Sequence, residues 1–266
     1  MKHLFQSWQA FSADCRAASH ILLLADYDGT LATIVGRPAD AVLSPGVRDR
    51  LSMLAKKPTY SVGVISGRSI EELKALVGIE GIYYSGNHGL EIEGPGYSFI
   101  SPEAEAARPV IAGLARELAV ALKRIAGVII QDKGFSLSVH YRLVKPEDID
   151  AVTSAVQRIT APHVDSGEIR VYAMKKLWEI RPPIDWDKGD AVEVIARELK
   201  TILKQERLLT IYLGDDTTDE DAFRVVRPPD GWSIFVGEEN QTSAADYFLN
   251  STAEVETFLT RLSKLK

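Results

Sequence analysis

Hydrophobic residues along this chain follow two rhythms. Short unbroken apolar runs, ILLLA at 21–25, TYSVGVIS at 59–66, GIYYSGN at 81–87, LLTIYLG at 208–214, SIFVG at 233–237 and DYFLN at 246–250, predict strands, the most apolar of them buried on both faces. Between them the period lengthens to that of a helix. SPGVRDRLSMLAK has Ser44 as cap, Pro45 in the first turn and Val47, Leu51 and Leu54 on one stripe. SIEELKALVG opens on Ser69 with Glu72 in capping-box spacing and stops at Gly78. KGDAVEVIARELKTIL places Val192, Ile195, Ala196, Leu199 and Leu203 along one face, and AEVETFLTRLSKL closes the alternation. Strand and helix in turn predict an α/β fold, a parallel sheet covered on both faces, whose ligands sit beyond the carboxyl ends of the strands.

From about 104 to 184 the pattern changes to helix, hairpin (VIIQDKGFSLSVHYR), helix (PEDIDAVTSAVQRIT) and strand pair (IRVYAMKKLWEIRP). This predicts an inserted α+β domain at 104–184 within a core made of 1–103 and 185–266. In the hairpin the two-residue period puts Phe135, Leu137, Val139 and Tyr141 on one face, and Ser136, Ser138, His140 and Arg142 on the other. Gln131 and Lys133 share a side of their own strand, while Glu179 and Arg181 flank Ile180, so one sheet face is expected to be crowded with hydrogen-bonding groups. EIEGPGYSF at 91–99 and RPPDGW at 227–232 are expected to contain turn-rich loops.

Composition narrows the partners. The chain has 266 residues, 45% of them hydrophobic, and a net charge of −6 without long like-charge blocks, which argues against a nucleic-acid or anionic membrane surface. Cys15 is the lone cysteine, so no internal disulfide and no Cys/His zinc cluster is expected. The first twenty residues lack a signal-peptide pattern and no apolar run approaches the ~20 residues of a membrane span. A cytoplasmic, soluble protein is expected, with a monomer favoured and a small-molecule partner.

Two acid clusters close buried strands. Asp26 and Asp28 follow ILLLA, with Gly29 allowing a sharp turn, and Asp215, Asp216 and Asp219 follow IYLG. Two carboxylates ~4 Å apart repel by about 4 kcal/mol at an effective dielectric of about 20, so they call for a shared proton or a cation. A helix-flanked calcium loop does not fit, because Leu31 and Arg37 stand where its glycine and glutamate belong and a strand comes before. Oxygen ligands without Cys or His suit a hard ion such as magnesium, and magnesium points to phosphate. Donors for phosphate stand at other strand ends and helix starts: SGR at 66–68 and DKG at 187–189.

Taken in order, DYDGT (26–30), Ser66, Lys188 and GDDTTDED (214–221) resemble the four motifs of the haloacid dehalogenase superfamily of phosphohydrolases, over nearly the whole core. The resemblance implies a Rossmann-like core with a cap domain. It implies Asp26 as nucleophile toward phosphorus, Asp28 as general acid and base, and Thr30, Ser66, Gly67 and Lys188 around the phosphate. It further implies Mg2+ held by Asp26, the Asp28 backbone carbonyl and Asp215, with Asp219 and Asp216 orienting water. GNHGLEI (86–92), QDKGFSLSVHYR (131–142), WEIRP (178–182) and GDDTTDEDAF (214–223) resemble trehalose-6-phosphate phosphatases. By that likeness Lys133, Arg142 and Glu179 would hold sugar hydroxyls, with Gln131, His140, His88 and Arg181 in support; Gln131 stands where that family more often has glutamate. Two alternatives stay open: another sugar phosphate as substrate, or a non-catalytic sugar-phosphate-binding protein.

Overall fold

The computed structural model describes residues 1–174, 176–204, 207–238 and 241–265. Its strands are β1 (Lys2–His3), β2 (His20–Ala25), β3 (Tyr60–Ile65), β4 (Tyr83–Gly86), β5 (Glu91–Gly94), β6 (Tyr97–Ile100), β7 (Ile129–Asp132), β8 (Leu137–His140), β9 (Arg170–Met174), β10 (Leu177–Arg181), β11 (Leu208–Gly214), β12 (Gly231–Val236) and β13 (Tyr247–Leu249). Its helices are α1 (Trp8–Ala17), α2 (Pro45–Ala55), α3 (Ile70–Val77), α4 (Pro102–Leu122), α5 (Ile149–Asp165), α6 (Lys188–Leu203), α7 (Glu220–Val225) and α8 (Thr252–Leu262).

The chain divides into two compact units, Met1–Phe99 with Trp186–Lys266, and Ile100–Asp185. The breaks fall at 99/100 and 185/186 rather than at 103/104 and 184/185. Ser101 accepts from the Ala104 amide at 3.3 Å as the cap of α4, so the residues leading into that helix belong with it.

In the first unit the strands run β1-β13-β12-β11-β2-β3-β4-β5-β6. Pairings are parallel from β1 through β4, and β5 returns antiparallel on β4. Alternation along β2 sorts the core: Ile21, Leu23 and Ala25 join the apolar cluster with Leu51, Val77 and Phe258, while Leu22 and Leu24 face Val192, Ile195 and Phe223. Every residue of β2 and of β11 is buried. Such central strands need helices on both faces, and α2, α3 and α8 on one side and α6 and α7 on the other supply them.

The expected caps hold at Ser44 and Ser69, while the Glu72 side chain pairs with Arg68. Ser44 Oγ accepts from Val47 N at 3.1 Å and Ser69 Oγ from Glu72 N at 3.3 Å, and Gly78 ends α3 in the left-handed region. Residues 91–99, expected to contain a turn-rich loop, form β5 and most of β6 on either side of that turn. Ile92 is fully buried and Tyr97 and Phe99 pack against the α6 side, burial that outweighs the turn-forming Gly94-Pro95-Gly96 and confines it to the hairpin tip. Helix α1 was not legible from periodicity; Phe11 and Cys15 anchor it under the sheet.

The second unit is a four-stranded antiparallel sheet, β7-β8-β10-β9. Helices α4 and α5 cover one face through Ile111, Leu118, Val152 and Val156 against Leu137, Val139 and Ile180. Lys175, within the expected strand pair at 169–182, lies outside the described residues.

Candidate active site

Sheet order brings three strand ends together. β2 lies between β11 and β3, so Asp26, Asp215 and Ser66 all follow the carboxyl ends of adjacent parallel strands. Asp26 is held there by its own amide, which donates to Leu213 O at 2.8 Å.

Lys188, the first residue of α6, is 2% exposed. Its Nζ donates to Asp26 Oδ1 and Asp219 Oδ1, both at 2.7 Å. Asp219 is saturated: Oδ1 also accepts from Tyr212 Oη at 2.6 Å, and Oδ2 accepts the amides of Asp215 and Asp216 at 3.0 Å each. Asp219 therefore locks the turn after β11 and orients Lys188. Asp26 Oδ2 has no hydrogen-bond partner among the described residues, which leaves one oxygen of this buried carboxylate available.

Burial pushes the Asp26 carboxyl well above the usual carboxylate range; Lys188 opposes this, and Asp219, Asp215 and Asp28 reinforce it. Burial and the charge of Asp219 raise Asp215 to about 7, against the pull of a Thr30 hydrogen bond. Lys188 is raised despite its burial by the two aspartates it bridges. Oxygens of Asp26, Asp215 and Asp219 lie within 4.8 Å of one another. Three carboxylates against one ammonium leave a local charge that one divalent cation would balance, and an all-oxygen donor set fits a hard ion.

Gly29 has φ +93°, and a Cβ there would stand 2.0 Å from Asp215 Oδ2. The glycine expected for the turn is thus also required so that Asp215 can approach. The Thr30 hydroxyl, expected at the phosphate, donates to Asp215 Oδ1 at 2.9 Å and so positions that carboxylate.

Ser66 is 2% exposed; its Oγ accepts from Arg68 N at 3.3 Å, and its own proton is uncommitted among the described residues. A Cβ on Gly67 would lie 2.4 Å from His88 Nε2, so the imidazole seats against this backbone, with His88 N donating to Ser66 O at 2.9 Å. Asp28 does not join the carboxylate cluster. Its two oxygens accept from Arg68 Nε and Nη2 at 2.6 and 2.7 Å, a partner that sequence reasoning missed although SGR was singled out. Tyr212, a hydroxyl inside an aliphatic run, was missed likewise.

In the second unit, register aligns Gln131, Ser138, Glu179 and Tyr172 across β7, β8, β10 and β9. Glu179, 1% exposed, accepts from Lys133 Nζ at 3.0 and 3.3 Å and from Ser138 Oγ at 2.5 Å. Gln131 Oε1 lies 3.0 Å from His140 Nε2. Arg181 Nε is 3.8 Å from Glu179. Arg142 departs from the expectation: β8 ends at His140, and Arg142 is exposed in the turn beyond, so strand alternation does not govern its direction.

A cavity of about 590 Å3 lined by Lys200, Thr210, Arg227 and Gly231 opens at the amino-terminal edge of the sheet and contains none of these groups. Among the described residues no helix is long and apolar enough to cross a membrane.

The trehalose-phosphatase family profile matches residues 24–253. A Zea mays protein, trehalose 6-phosphate phosphatase RA3, is 34% identical over 261 residues, covering 92% of this chain and 70% of that one. The trehalose-phosphate phosphatase of Mycobacterium tuberculosis (strain H37Rv) is 36% identical over 269 residues, covering 99% and 67%. Among solved structures, the C-terminal domain of the Candida albicans trehalose-6-phosphate phosphatase superposes with a TM-score of 0.76 at 23% identity, covering 97% of each chain. A haloacid dehalogenase-like hydrolase from Bacteroides thetaiotaomicron gives a TM-score of 0.61 at 18% identity, covering 91% and 99%.

Proposed function

The chain belongs to the trehalose-phosphatase family and is a phosphatase, and from that footing we propose that it hydrolyses trehalose 6-phosphate to trehalose and phosphate through a phosphoryl group carried on Asp26. The observation that supports this most is the buried Asp26, tied at Oδ1 by Lys188 and open at Oδ2.

Asp26 Oδ attacks phosphorus as the bond to the sugar oxygen breaks, and Asp28 gives that oxygen its proton. Water then attacks phosphorus, Asp28 takes a proton from it, and the Asp26–phosphorus bond breaks to release phosphate. Lys188 holds Asp26 in place and offers charge to the phosphoryl oxygens, and Ser66 Oγ and the Gly67 backbone add donors. Mg2+ is the ion the all-oxygen set fits; Asp26, the Asp28 carbonyl and Asp215 would hold it, and it would neutralise charge on the transferring group. Asp219 keeps the turn that presents Asp215.

For the sugar, the polar face of the second unit supports a role in specificity. Glu179 fixes Lys133, and Gln131 with His140 extends the row of donors and acceptors. The substitution of Gln131 for the family's more usual glutamate favours a second reading, another sugar phosphate as substrate. Comparing kcat/KM for trehalose 6-phosphate, glucose 6-phosphate and sucrose 6-phosphate decides between them. Preference for trehalose 6-phosphate supports the assignment; a large preference for another ester rejects it and leaves the chemistry standing.

Two further outcomes follow. Thr30→Val should weaken activation by magnesium about tenfold, because the lost hydrogen bond orients a metal-holding carboxylate. A raised KM with unchanged magnesium dependence would instead place the hydroxyl on phosphate. Asp215 sits at about 7 when folded, above the ordinary 3.8, so without a divalent ion folding takes up a proton and stability falls as pH rises between those values. A cation must displace that proton. Magnesium should therefore raise the melting temperature more at pH 8 than at pH 5.5, by calorimetry; equal shifts would contradict the assignment of Asp215.

A further inference from the structure

Arg68 stands on the loop after β3, two residues past Ser66, and is 5% exposed. Its guanidinium spans three segments. Nε and Nη2 take both oxygens of Asp28 at 2.6 and 2.7 Å, Nη2 also donates to Pro38 O at 2.8 Å, and Nη1 pairs with Glu72 on α3. The guanidinium lies over the Tyr27 ring, 5.4 Å from its centroid.

Glu72, Pro38 and Tyr27 fix the guanidinium independently of Asp28, so the carboxylate follows the arginine. The Asp28 side chain is 37% exposed, and an aspartate with that freedom would sample several staggered rotamers. A two-bond fork removes the choice, because it sets the plane of the carboxylate as well as its position. The amide of Arg68 donates to Ser66 Oγ at 3.3 Å within its own loop, and the guanidinium ties that loop to the one bearing the acid.

We infer that Arg68 is the positioning residue for Asp28: it fixes the carboxylate that exchanges a proton with the leaving oxygen and with water. The inference rests on the acid/base role proposed for Asp28 above. A residue that merely welded loops would loosen the whole site, whereas one that positions Asp28 acts only while Asp28 can act.

The test is a double-mutant cycle on the intact chain, with kcat and KM measured on trehalose 6-phosphate in saturating magnesium. Arg68→Ala should lower kcat about 100-fold, as misplacing a reacting group does, with little change in KM. Arg68→Lys should recover little of this, since an ammonium cannot hold both oxygens in one plane. In an Asp28→Asn background the Arg68 substitution should cost no more than about twofold. If Arg68→Ala fails to fold by circular dichroism, the cycle is run with Arg68→Lys. A loss carried undiminished into the Asp28→Asn background overturns the inference and leaves the acid/base role of Asp28 intact. A near-normal rate for Asp28→Asn alone overturns that role and the inference with it.

Discussion

Asp26→Asn should abolish turnover, by about 10⁴-fold or more, the scale on which removing a nucleophile acts. The amide keeps the shape of the side chain but cannot attack phosphorus. The variant should nonetheless fold at least as well as the parent in the absence of a divalent ion. Asp26 is buried with its carboxyl pushed upward by desolvation and by three neighbouring aspartates, so its charge is held at a cost that the amide removes. Phosphate release assays paired with thermal melts separate the two effects. Loss of activity together with a collapsed melting temperature would mean that the carboxylate is structural, and near-normal activity would remove it from the chemistry altogether.

Lys188→Met should cost both activity and stability. The ammonium is buried between Asp26 and Asp219 at 2.7 Å from each, and a methionine of similar length fills the space without balancing either charge. Removing one member of a buried ion group leaves the others uncompensated, at about 3–5 kcal/mol. In a unit of this size that corresponds to a drop of about 10 °C in melting temperature at neutral pH. The sign of the pH dependence follows from Asp26. Its folded carboxyl already binds a proton more readily than the unfolded one, and without Lys188 it does so more strongly, so the variant should regain stability as pH falls. Turnover should remain lost at every pH at which the variant is folded. A melting temperature unchanged at pH 7 would contradict the electrostatic role of Lys188.

Much of this was legible in the sequence because it depends on local pattern. The strand ending at Ala25 is apolar without interruption, and the residue after it begins the carboxylate cluster; the same holds for Gly214 and Asp215. Adjacent parallel strands then make it unavoidable that these ends converge. What was not legible is which partner each polar group takes. Asp28 and Arg68 are 40 residues apart, and their pairing depends on how two loops pack, information that no local period holds. Thr30 reaches Asp215 only because Gly29 lets the chains approach, and Asp219 is spent on Lys188, Tyr212 and two amides before any ion can use it. Strand alternation failed at Arg142 for a related reason: the strand stops two residues earlier, and a period has no authority past its element.

In the proposed mechanism Asp26 carries the phosphoryl group between the two halves of the reaction. Acid quenching during turnover, followed by proteolysis and mass spectrometry of the peptide containing DYDGT, tests it directly. A fraction of that peptide should be heavier by one phosphoryl group, mapped to Asp26, base-labile, and absent from Asp26→Asn. Turnover at full rate with a phosphoryl group on another residue, or with no labelled peptide when the quench demonstrably precedes product release, would contradict it.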